Sequence, residues 1–112
     1  MTPTTFLRSG VRLPLELPME VRWKGRSGKK ERAQGKTVTV SGSGFYVILP
    51  PRLRLAQATP IQFTMDLPVE LTGVPMKLTG QGRVVRGHRS SAEAGVGAII
   101  DDYRFQLSPP EA

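Results

Sequence analysis

The sequence predicts an all-β protein built as a small six-stranded antiparallel barrel. Three observations carry that expectation. Apolar and polar residues alternate in several short runs, as they do in half-buried strands. The 12 glycines and 10 prolines fall between those runs as turn punctuation. No convincing long helix interrupts them, and closing the sheet on itself would leave no strand edge exposed. At 112 residues the chain reads as one domain with a modest core, and its 38% hydrophobic content, though low, lies outside the disordered range.

Residues 1–14 carry Arg8 and Arg12 in an unpatterned segment and read as a flexible N-terminal arginine arm; the barrel spans 15–107 and residues 108–112 form a tail. The first strand is expected at Leu15-Glu-Leu-Pro-Met-Glu-Val-Arg-Trp-Lys24, where Leu15, Leu17, Met19, Val21 and Trp23 share one parity and Pro18 hints at an edge or bulge. Lys24 to Lys36 is polar and strongly basic, and reads as a long, mobile hairpin loop. In Thr37-Val-Thr-Val-Ser41, alternation places Val38 and Val40 on one face and Thr37, Thr39 and Ser41 on the other, before Gly42 and Gly44 break the strand.

Phe45 to Leu49 is a third strand, stopped by Pro50-Pro51, and residues 52–60 connect it to a fourth at Ile61–Leu67. Pro68 to Pro75 is a turn-rich loop. The run Met76–Arg86 holds Gly80 and Gly82, which suggest a bend or bulge at a barrel corner. Gly95–Ile100 is the last strand, and Asp101–Leu107 reads as one helical turn.

The net charge of +7 favours an anionic partner. Signals for catalysis are poor. His88 is the only histidine and sits in a loop, Asp101-Asp102 is the only acidic pair, and cysteine is absent. No catalytic residue, metal site or cofactor is therefore expected. Gly80-Gln-Gly82 lacks the pattern of a dinucleotide fingerprint. No apolar stretch suggests membrane insertion and the N-terminus lacks a signal-peptide order, so a cytoplasmic protein is the expectation.

The basic loop beside Trp23 raises single-stranded nucleic acid as a partner. With 6% aromatic residues, mostly on apolar parity, stacking platforms are few and nucleic acid is disfavoured. The spacing Arg8-x-x-x-Arg12 recurs at Arg22 and Arg26, so position distinguishes the first pair: it precedes the first strand, free to fold over a surface. Arginine makes bidentate bonds to phosphate and to guanine O6 and N7.

The order Arg8-x-x-x-Arg12, then Leu13–Val21, then Thr39-x-Ser41-x-x-Gly44 resembles the PilZ domain family, marked by R-x-x-x-R and D-x-S-x-x-G. Ile61–Leu67, Gly82–Arg86 and Gly95–Asp101 continue the similarity, which covers about residues 6–102. The resemblance implies a six-stranded barrel that binds the bacterial second messenger cyclic di-GMP and signals through an effector protein. By position it assigns Arg8 and Arg12 to phosphate and guanine, Ser41 to a hydroxyl hydrogen bond, and Gly44 to backbone clearance.

Thr39 stands where the family has aspartate. A lone hydroxyl replaces a bidentate carboxylate, at a cost of about 1–3 kcal/mol, roughly ten- to a hundredfold in affinity. The alternative implied by that exchange is a degenerate PilZ-fold interaction module that does not bind the nucleotide.

Overall fold

The computed structural model describes residues 12–25, 27–51, 53, 55–89 and 92–107. Six strands, β1 (Pro18–Lys24), β2 (Lys30–Val40), β3 (Gly44–Leu49), β4 (Pro60–Leu67), β5 (Met76–Arg89) and β6 (Ala94–Leu107), close in the order β1-β2-β3-β6-β5-β4, every pairing antiparallel. A single helical turn, α1 (Val69–Thr72), lies between β4 and β5 and ends at Gly73, whose φ of 83° is left-handed. Among the described residues no helix is long and apolar enough to cross a membrane.

Period-two patterning explains the interior. Ile61, Phe63, Met65 and Leu67 of β4 point inward while Gln62 and Asp66 face water. They meet Met19 and Val21 of β1, Phe45 and Val47 of β3, Leu78 and Val84 of β5, and Val96 and Ala98 of β6 in one core. Phe45 and Phe63 pack edge to face at its centre, with ring centroids 5.1 Å apart.

Three expected elements differ. β5 runs past Arg86 to Arg89, so His88, expected in a loop, lies on a strand opposite Gly95 because β6 continues beside it. The basic stretch from Lys24 to Lys36 is no long loop: a tight turn at 25–29, with Gly28 at φ 78°, leads into the first half of β2. Seven residue pairs join β1 to β2, from Pro18↔Lys36 to Lys24↔Lys30, so backbone bonding holds the strand although Ala33 is the only buried side chain between Lys30 and Lys36. Residues 101–107 are no helical turn either but the second half of β6, paired with Met76–Gln81. Their alternation is that of a strand: Tyr103 and Phe105 pack against the core while Asp102, Arg104 and Gln106 are exposed.

β3 and β4 are not neighbours, so the connection at 50–59 crosses one end of the barrel. It is fixed to β5 by Ala58 N–H donating to the Val84 carbonyl (2.7 Å) and Val84 N–H to that of Thr59 (3.0 Å). At the opposite end lie the β2–β3 turn, α1 and residues 12–17. β1 begins at Pro18 rather than Leu15. Ahead of it, Leu13 forms an isolated bridge to Val40, with hydrogen bonds of 2.8 and 3.0 Å.

The valine–hydroxyl alternation of β2 is broken by a bulge. Thr37 pairs with Val47 and Thr39 with Tyr46, leaving Val38 as the extra residue. Thr37, expected on the outer face with Thr39, is therefore turned into the interior, and Val38 is exposed. Buried Thr37 accepts the Leu17 N–H at Oγ1 (2.8 Å) and donates to the Leu15 carbonyl (2.6 Å). Thr37→Val keeps the shape but orphans both backbone groups. Urea denaturation should show a loss of about 1–3 kcal/mol, with amide exchange at Leu17 rising more than at Phe63.

Candidate functional site

The end of the Thr37–Gly44 stretch gathers three of the residues singled out in the sequence. Arg12 Nη1 donates to Thr39 Oγ1 at 2.9 Å, on an exposed surface. Arg12 Nη2 lies 3.5 Å from where a Cβ on Gly44 would sit, and the Ala98 carbonyl oxygen is only 2.6 Å from that point. Gly44 is thus required for close approach: a side chain would strike the neighbouring backbone before it reached the arginine.

Ser41 takes a different position. It is 1% exposed, and its hydroxyl is occupied within the β2–β3 turn, where it accepts the Ser43 N–H (3.3 Å), contacts Ser43 Oγ (3.1 Å) and reaches the Gly44 carbonyl (3.3 Å). Thr39 and Ser41 therefore do not share an outward polar face; the turn buries Ser41 beneath it. Arg8, the other half of the arginine pair, lies outside the described residues, as do the first eleven positions of the expected arm.

Beyond Thr39 the register builds a row across four strands: Thr39 of β2 opposite Tyr46 of β3, Tyr46 opposite Gly97 of β6, and Gly97 opposite Arg86 of β5. Three interstrand spacings make this row about 14 Å wide. The Tyr46 ring lies across the glycines of β6. Its hydroxyl end occupies the space a Cβ on Gly95 would fill, and its Cδ2 is 3.6 Å from the corresponding point on Gly97. Arg86 flanks the other side of Gly97, its Cγ at 3.4 Å and Nε at 3.6 Å from that point.

A second bulge, with Val85 as the extra residue, turns Val84 inward opposite Ala98 and Arg86 outward opposite Gly97. Both ends of the row are thus aimed by bulges, at Val38 and at Val85. The outcome is a glycine-floored aromatic shelf with an arginine at each end.

Electrostatics leave those arginines available. The ion pairs among the described residues engage Arg22 with Glu20, Lys77 with Asp66 and Arg83 with Asp101. Arg83 is doubly bonded to Asp101, at 3.0 and 2.9 Å, and this contact raises its already high pKa. Arg12 and Arg86 have no carboxylate partner among the described residues. Such a face can accept a flat, anionic ligand, with stacking on the ring and bidentate bonds at either end.

Tyr46, Arg86, Gly95 and Gly97 were not singled out from the sequence. Tyr46 had a readable signal, since it lies off the parity of Phe45, Val47 and Leu49. Arg86 had none, because its direction depends on the bulge. No protein-family model matches the chain, and no match is found among curated proteins. The face must be read from its own chemistry.

The glycines differ in what they protect. Gly44→Ala meets backbone and should cost about 1–3 kcal/mol by denaturant titration. Gly95→Ala meets the hydroxyl end of the Tyr46 ring, a half-buried side chain that can turn aside as a whole, so it should cost less while visibly shifting the Tyr46 ring resonances in NMR spectra.

Proposed function

We propose that the chain is a receptor or adaptor that binds cyclic di-GMP on this face, in bacterial second-messenger signalling. The observation that carries the reading is the row Thr39–Tyr46–Gly97–Arg86 with Arg12 standing over its first residue. A ligand with two guanines and two phosphates matches a shelf with one cation at each end. Arg12 takes a phosphate or the O6/N7 edge of one guanine. A base stacks on the Tyr46 ring, a contact worth about 1–3 kcal/mol. Arg86 meets the second half of the ligand, and Arg8 closes over it from the arm.

The resemblance of Arg8-x-x-x-Arg12 and Thr39-x-Ser41-x-x-Gly44 to the PilZ pattern supports the same ligand. Two observations favour the second reading, a PilZ-like barrel that works through protein contacts without the nucleotide: Thr39 supplies no carboxylate, and the Ser41 hydroxyl is spent inside the turn.

Titration calorimetry of the full chain with cyclic di-GMP separates them. Binding is expected in the range of about tens to hundreds of micromolar, lost in Arg12→Ala and Arg8→Ala and weakened in Tyr46→Ala and Arg86→Ala. Thr39→Asp should tighten it by about tenfold or more, because one carboxylate oxygen can hold Arg12 while the other accepts from guanine N1–H or N2–H. Absence of heat at high protein concentration, in both the unaltered chain and Thr39→Asp, leaves the second reading standing.

A further inference from the structure

The other end of the barrel carries a feature that the Arg12 face does not use. A cavity of about 690 Å³ opens there, lined by Trp23 and Lys24 of β1, Leu53 and Leu55 of the connector, His88 of β5 and Val96 of β6. Trp23, Leu53 and Leu55 are only partly buried against the core, so the cavity offers apolar surface to an incoming group.

Beside it, the outer face of the β1–β2 ribbon carries an unfavourable charge arrangement. The register sets Lys24 opposite Lys30 and Arg22 opposite Arg32. Like charges directly across an antiparallel pair repel, and nothing in strand packing calls for two such pairs in succession. Arg22 is neutralised by Glu20 at 2.6 Å and bonded to Thr64 at 3.1 Å. Lys24, Lys30 and Arg32 are exposed and have no ion-pair partner among the described residues. The ribbon's other carboxylate, Glu31, stands opposite Trp23, on the alternate parity, with its Cγ 3.4 Å from where a Cβ on Gly25 would sit.

Lys24 belongs both to the ribbon and to the cavity wall. We infer that this end docks an acidic polypeptide segment, which inserts a large apolar side chain beside Trp23 and lays its carboxylates along Lys24, Lys30 and Arg32. A small anion would use the cavity and Lys24 alone, whereas the cation pairs continue for a further two residues, about 7 Å, along the ribbon. The closed barrel offers no free edge for strand addition, so a partner must be recognised through side chains. Nucleic acid would match the charge, but one partly buried indole in a concave apolar site is a poor series of stacking platforms. The inference does not depend on what the Arg12 face binds.

Trp23 is the only tryptophan in the chain, so its fluorescence reports occupancy of the cavity directly. The test titrates the full chain with a random glutamate–tyrosine copolymer, with polyglutamate, and with single-stranded oligothymidine of matched charge. The copolymer should bind about ten- to a hundredfold more tightly than polyglutamate, the gain of burying one large apolar side chain, and should shift the Trp23 emission. Lys24→Ser with Lys30→Ser, both on the surface, should weaken both polypeptides. Leu55→Asp, checked for folding by circular dichroism, should remove only the copolymer's advantage. Equal affinity for copolymer and polyglutamate, tighter binding of oligothymidine, or binding that leaves Trp23 emission unchanged would each overturn the inference, and all three are read on the unaltered chain.

Discussion

The bulge at Val38 is the constraint on which the arm end of the barrel depends. In a regular strand Thr37 and Thr39 would project from the same face. One extra residue separates them: Thr37 turns into the core and Thr39 remains outside. Thr37 then holds Leu15 and Leu17 along β2 with two bonds from its hydroxyl and one from its N–H to the Leu17 carbonyl (2.9 Å), and the two hydrogen bonds of the Leu13–Val40 bridge extend that attachment. Those contacts bring Arg12 to the place where Thr39 can receive it. The buried hydroxyl positions the backbone, and the exposed hydroxyl receives the guanidinium.

The bulge at Val85 repeats the device on the far side of the row. Each bulge exposes a valine, an unfavourable place for an aliphatic side chain, and each aims a polar residue at the same outer surface. Bulges cluster beside functional sites because they redirect a side chain without breaking the sheet. Here two of them aim the residues at either end of a shelf whose floor is made of glycines, and the glycines let the Tyr46 ring lie close to the sheet.

The barrel was legible in the sequence because its dominant signal is local. Ile61, Phe63, Met65 and Leu67 announce an inward face by parity alone, and Gly80 with Gly82 marks the irregularity found between Gln81 and Gly82. What was not legible depends on pairing. The segment Lys30–Lys36 has almost no apolar residue and becomes a strand only because β1 is there to bond it. Asp101–Leu107 extends as a strand because β5 continues beside it. At the site, Arg12, Thr39 and Gly44 were legible as a spacing and come together as neighbours. Ser41 satisfied the same spacing but is drawn under its turn, since a serine two residues before another polar group can close a local hydrogen bond instead of facing outward.

Among the described cations without an ion-pair partner, Arg12 and Arg86 lie on the shelf, and Lys24, Lys30 and Arg32 lie on the ribbon. Direct charge communication between distant parts of an exposed surface is weak, because salt screens it beyond about 8 Å. The two regions share a structural element instead. Gly95 lies under the hydroxyl end of Tyr46 and also lines the cavity beside Trp23. Contact continuity alone does not couple two sites; coupling requires an element that takes different positions when one of them is filled. Tyr46 supplies the contact, its hydroxyl end seated against Gly95, so any coupling between the two proposed sites would have to pass through a displacement of that ring.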